Sequence, residues 1–266
     1  PVRHARMLTS PFAFYRGSAA VMSADLATTP STGIQAQLCG DAHLSNFGLF
    51  GSPERALVFD CNDFDETHPG PWEWDVKRLA VSAVLMAADR GWDTDAQRRL
   101  ARAVGFGYRV SMVDFASKGR LAVWYSKVTD EQLLALAKDD NRAAIEKQFR
   151  KARLNDVGRA IAKYTEVGDG RRRFVHEPPV VMRLGASMAA DTAAAMHQNV
   201  IGLFGEYLES VPDYLRVLLG GYELIDVALK VVGVGSVGTR CYIALVRGRD
   251  DDDLMILQIK EAEHSV

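Results

Sequence analysis

The chain has few cysteines, no long apolar run and no surplus of either charge, and each shortage removes a class of function. Cys39, Cys61 and Cys241 lie scattered without CxxC spacing. That excludes a zinc knuckle or a disulfide framework as the basis of the fold and fits a reducing compartment. No apolar run approaches the roughly 18 residues of a spanning helix, and the first residues lack the basic, apolar, small-residue order of an export signal. No membrane partner is expected, and cytoplasm is the expected compartment. With 32 Lys and Arg against 34 Asp and Glu the net charge is −2, so bulk electrostatics point to neither a nucleic-acid groove nor an anionic lipid surface. His176 and His197 have no ligand partners at metal spacing and read as surface or core-edge histidines.

What is present is material for a sizeable core: 266 residues with 48% apolar content fill one large domain or two smaller lobes. The aromatic stretch 10–17 reads as a turn-prone entry segment, followed by a short helix over 19–26 and a breaker cluster at 28–33. Residues 34–38 alternate as a strand, and Leu57-Val58-Phe59 forms a second one with Asp60 at or just before its exit. Beyond Pro69-Gly70-Pro71, apolar positions 76, 79, 80, 83, 84 and 87 follow the helical period, with Asp75 expected to cap the helix. Helical spacing continues over 94–116, 130–137, 141–152 and 155–164, with an amino-terminal cap at Thr129-Asp130-Glu131-Gln132, and resumes over 186–204. Arg171-Arg172-Arg173 reads as a solvated basic turn entering a strand.

Two acidic clusters carry the chemistry. Gly40-Asp41-Ala42-His43-Leu44-Ser45-Asn46 offers a carboxylate, an imidazole and an amide within six residues, and Asp60-Cys61-Asn62-Asp63-Phe64-Asp65-Glu66 follows. Phosphoryl transfer needs those types: one carboxylate to orient or deprotonate the attacking hydroxyl, and an amide oxygen with a second carboxylate to hold magnesium. Asp41 takes the first role, Asn46 with Asp60 or Asp63 the second. Asp60 has the apolar lead-in, whereas Asp63 opens an Asp-Phe-Asp run, and both stay open as ligand. His43 either braces the loop or takes part in the chemistry.

Near the other end, residues 225–232 form an aliphatic strand leading into Gly233-Val234-Gly235-Ser236-Val237-Gly238. A strand over 239–246, a polar turn with four aspartates and a third strand over 254–259 ending at Lys260 come next. The aspartates lack the spaced oxygens and distal glutamate of a calcium loop and read as a hairpin tip. A dinucleotide-binding unit would continue from its glycines into a helix. Here a strand follows, which favours a hairpin over nucleotide phosphates, with Gly233, Gly235, Ser236 and Gly238 supplying backbone and Lys260 a charge. A plain tight hairpin is the bland alternative.

The run from Gly40 to Asn46 resembles the Gly-Asp-x-His-x-x-Asn catalytic loop of aminoglycoside and choline kinase-like phosphotransferases, and Asp75-Val76-Lys77-Arg78-Leu79 resembles their downstream Asp-Leu-Ala helix. Cys39 stands where those enzymes usually carry histidine. Over the whole chain, the blocks at 10–17, 71–79 and 230–241 are similar to an uncharacterised bacterial family, domain of unknown function 2252, whose members continue past residue 266. The kinase-like resemblance implies an α+β, protein-kinase-like two-lobe fold. Because the glycine hairpin and lysine follow the catalytic loop here, it implies circular permutation, which relocated termini at exposed loops permit. A mainly helical lobe is expected over 1–220, and a small antiparallel β lobe, not complete by residue 266, over 221–266. The resemblance implies ATP and magnesium as cofactors and a small-molecule or protein acceptor, with no nucleic-acid partner. Two rival readings belong to other classes: a catalytically silent nucleotide-binding module, and a metal-dependent hydrolase built on Asp41, His43, Asp60 and Asp63.

Overall fold

A computed structural model describes residues 2–54, 56–153, 157–168, 170–187, 189–231, 240–261 and 264–265. It is a mixed α+β structure with several small antiparallel sheets. Two compact units divide it: residues 1–153 with 262–266, and residues 154–261. The boundary expected after residue 220 falls inside the second of these, because strand pairing and helix packing there draw on residues well before 220.

The first unit opens with α1 (Val2–Met7), α2 (Pro11–Arg16) and α3 (Ala19–Ala27). Residues 10–17 are thus mainly helix, not a turn-prone entry. Ser10 Oγ accepts the Ala13 N–H at 3.0 Å and Pro11 takes the first helical position, a pairing of cap and ring that outweighs the aromatic run. Then come β1 (Gln35–Leu38), a short 3₁₀ turn at Leu44–Asn46, β2 (Phe47–Gly51), β3 (Leu57–Cys61) and β4 (His68–Pro71). β1 pairs with β4, and β2 and β3 form an antiparallel hairpin.

The long helices α4 (Glu73–Asp89) and α5 (Thr94–Ala116) pack on each other, and Trp72 stacks on Tyr108 with ring centroids 4.9 Å apart. α6 (Arg120–Trp124), β5 (Val128–Thr129), α7 (Asp130–Leu136) and α8 (Asp139–Arg153) complete the unit, β5 pairing with β3. The cap expected at Thr129 is a full capping box with Gln132.

The second unit runs through α9 (Val157–Tyr164), β6 (Thr165–Gly168), β7 (Arg171–Phe174), β8 (Val181–Arg183), α10 (Leu184–Ser187), α11 (Ala190–Ser210) and α12 (Asp213–Leu219). It ends in β9 (Glu223–Lys230), β10 (Cys241–Arg247) and β11 (Leu254–Lys260). Strands β11, β10, β9 and β8 lie side by side, all antiparallel. One face buries Phe174, Val181, Ala228, Ile243 and Leu245 with Ile161 and Tyr164 of α9; the other buries Val227 and Tyr242 with Ala193 and Val200 of α11. That two-sided burial explains why β10 is apolar from Cys241 to Val246, where a half-exposed strand would alternate. The four aspartates sit at the β10–β11 turn, where Asp253 Oδ2 accepts the Arg249 N–H at 3.0 Å, as a hairpin tip requires. Among the described residues no helix is long and apolar enough to cross a membrane.

Candidate active site

The loop between β1 and the 3₁₀ turn carries Asp41, His43 and Asn46, and its shape starts at Gly40. Gly40 has φ +84°, and a Cβ there would collide with the Glu66 carbonyl, so the turn needs glycine twice over. The Asp75 carboxylate then accepts the Cys39 N–H at 2.7 Å and the Gly40 N–H at 3.1 Å. Asp75 is therefore not the helix cap that its position suggests: α4 begins at Glu73, and Asp75 turns outward to hold the loop backbone. Burial raises the Asp75 carboxyl above its ordinary range, and the two backbone bonds oppose that rise only in part.

Farther along α4, Arg78 is 3% exposed and its Nε donates to Asp41 Oδ1 at 2.6 Å. Its Nη2 donates to the Tyr15 carbonyl at 2.9 Å, and its guanidinium lies 4.1 Å from the centre of the Tyr15 ring. One more turn on, Ser82 Oγ accepts the Leu44 N–H at 3.1 Å. Three side chains of one helix face thus clamp the loop from Cys39 to Leu44. The tyrosine feels the same enclosure, and burial pushes its phenol up to about 12.

His43 is 2% exposed, with Nε2 3.5 Å from Asp41 Oδ2 and Nδ1 buried without a hydrogen-bond partner. Burial holds its imidazole below 6.5, the nearby Asp41 carboxylate opposes that, and the Arg16 and Arg78 charges reinforce it. The ring is therefore kept neutral. Asn46 is 8% exposed, and its Nδ2 donates to the Asp41 carbonyl oxygen at 2.9 Å. The structure thus brings Asp41, His43 and Asn46 into one bonded cluster.

The β2–β3 register returns the chain to this cluster: Gly48 faces Asp60, Phe47 faces Cys61, and the Asn62 N–H donates to the Asn46 carbonyl at 2.9 Å. Asp60 is exposed, its Oδ1 accepting the Cys61 N–H at 2.7 Å, and Asp63 follows just past the hairpin. Cys39 and Cys61, one from each acidic segment, are neighbours, and burial pushes the Cys39 thiol well up. Among the described residues no three His, Cys, Asp or Glu side chains gather as a metal-holding group.

The remaining expected residues belong to the later part of the chain. Gly233, Gly235, Ser236 and Gly238 fall outside the described residues. Lys260 ends β11 in the second unit and lines a cavity of about 270 Å³ with Phe204 and Tyr207 of α11. Sequence reasoning missed Arg78, Tyr15 and Ser82 as partners of the loop. The available signal for Arg78 and Ser82 was the 75, 78, 82 spacing, a polar stripe at helical period along α4.

The fold and the loop define a mixed α+β protein whose acidic loop, rich in acid–base and cation-ligating groups, is clamped to a long helix. The chain belongs to the bacterial family described as "Uncharacterized protein conserved in bacteria (DUF2252)", whose family model matches residues 1–266. No curated protein and no solved structure matches the chain.

Proposed function

We propose that the chain is an ATP-dependent phosphotransferase of the circularly permuted kinase-like class. Asp41 orients or deprotonates an acceptor hydroxyl, and Asn46 holds magnesium together with Asp60 or Asp63. The observation that carries this reading is the bond from Asn46 Nδ2 to the Asp41 carbonyl. It uses the donor end of the amide on the backbone of the base-bearing residue and leaves the amide oxygen, the end a hard cation prefers. One loop then fixes a carboxylate and a cation ligand relative to each other.

The hairpin register supports the reading further, since it sets Asp60 opposite Gly48 on the strand that follows Asn46. Magnesium, when bound, supplies charge neutralisation at the phosphates. The acceptor is a small molecule or a protein.

The test is magnesium-dependent ATP consumption by the purified chain. Asp41→Ala should lower it by about 100- to 10,000-fold while leaving the circular dichroism spectrum unchanged. Undiminished consumption in that variant would overturn the assignment.

One observation favours a second reading, a nucleotide-binding module without turnover: Asp41 is engaged by Arg78 through Oδ1 and faces His43 with Oδ2. Binding of magnesium ATP with no consumption by the unaltered protein would select it.

A further inference from the structure

Arg16 ends α2, next in sequence to the Tyr15 that carries Arg78 on its ring. The two arginines are treated differently by the fold. Arg78 spends its charge on Asp41. Arg16 has a half-buried side chain whose Nε is shielded from water and meets no hydrogen-bond partner. Among the described residues, no carboxylate pairs with it either. Arg16 stands one turn past Phe12 on the same face of α2, and the Phe12 ring meets the His43 ring edge-on with centroids 6.3 Å apart, so its charge reaches the loop and acts on the His43 imidazole in the same sense as burial does.

Three carboxylates of this unit have other partners. Asp41 serves Arg78, Asp75 serves the Cys39 and Gly40 amides, and Asp89 accepts the Phe12 N–H at 3.3 Å. A shielded donor without an acceptor is costly, so an anion that reached Nε would meet a group the described residues leave unpaired. The planar guanidinium fork matches two oxygens of a phosphate, in a geometry an ammonium cannot reproduce.

We infer that Arg16 binds a phosphate-type anion at the Asp41–His43 loop. This deepens the phosphotransferase reading by giving the anion a protein anchor of its own, on the first unit. It rests on that reading for the anion's role and not for the binding itself. Two sources share this chemistry: the terminal phosphate of a nucleotide, and a phosphorylated acceptor.

Calorimetric titration of the full chain with inorganic phosphate, and separately with magnesium ATP, tests the inference. Arg16→Gln should weaken phosphate binding about tenfold or more, and Arg16→Lys, which keeps the charge but not the fork, should fall between. Arg249→Gln, at the exposed hairpin tip, should leave it unchanged. Because Arg16 has no partner among the described residues, Arg16→Gln should keep or slightly raise the thermal midpoint of the phosphate-free protein, while phosphate should raise the midpoint of the unaltered chain more than that of the variant.

A matching loss of ATP affinity in Arg16→Gln would identify the nucleotide as the source. A loss confined to inorganic phosphate would identify the acceptor side. Phosphate binding without any ATP binding would leave Arg16 its role and remove the ATP reading. Equal phosphate affinity in unaltered, Arg16→Gln and Arg16→Lys proteins, or no phosphate binding by the folded unaltered chain, would overturn the inference.

Discussion

Arg78 donates to Asp41 Oδ1 at 2.6 Å from a position 3% exposed to solvent, so the loop's principal carboxylate is held by a charge shielded from water. Removing one member of such a pair leaves the other uncompensated. Arg78→Ala should lower the unfolding free energy by about 3 kcal/mol or more. Urea unfolding of the variant checks this, and a loss below about 1 kcal/mol, the range of exposed pairs, would mean that the pair is not structural.

Gly40 and Gly33 share a left-handed backbone, with φ +84° and +79°, but differ in their surroundings. A Cβ at Gly33 meets nothing within 4 Å, whereas at Gly40 it meets the Glu66 carbonyl. Gly33→Ala should cost about 1 kcal/mol, the conformational term alone. Gly40→Ala should cost more, at least about 2 kcal/mol, because backbone must move as well. Equal costs in parallel denaturant titrations would contradict the close approach.

His43 makes stability depend on pH in a definite direction. Burial lowers its folded pKa below the unfolded 6.5, so on acidification the unfolded chain takes up its proton first. The stability tied to the neutral ring is complete above 6.5 and is lost as pH falls from there through the depressed folded value. His43→Gln should remove that component of the slope. Denaturant midpoints measured between about pH 8 and about pH 5 for both proteins check it; identical slopes would place His43 outside the titration.

Asp60 and Asp63 separate by their effect on magnesium. Replacement of the ligand by asparagine should raise the magnesium concentration for half-maximal ATP consumption at least about tenfold, and replacement of the other residue should not. If neither Asp60→Asn nor Asp63→Asn shifts that requirement, both assignments fall.

Much of the fold was legible in the sequence because it rests on local periodicity. β1, β3, β10 and β11, the capping box at Thr129 and the aspartate turn lie within a residue or two of where alternation and turn chemistry put them. α11 is displaced, running over Ala190–Ser210 where spacing suggested 186–204, since residues 184–187 form a separate short helix, α10. The site was legible as types and order but not as partners. Asp75 reads as a cap because aspartate near a helix start usually is one. Its real acceptor role depends on the Cys39 and Gly40 amides, more than 30 residues away. Arg78 carries no such signal of its partners in the sequence: only folding places Asp41 and Tyr15 around it.

Asn46 offers the most direct measurement of the central claim, that this loop is a magnesium and phosphate site. Calorimetry with ATP, with and without magnesium, should show that magnesium strengthens binding to the unaltered chain. For Asn46→Ala it should show binding about tenfold weaker or worse with magnesium and little changed without it. No ATP binding at all, or binding that ignores both magnesium and the loss of Asn46, would contradict the account.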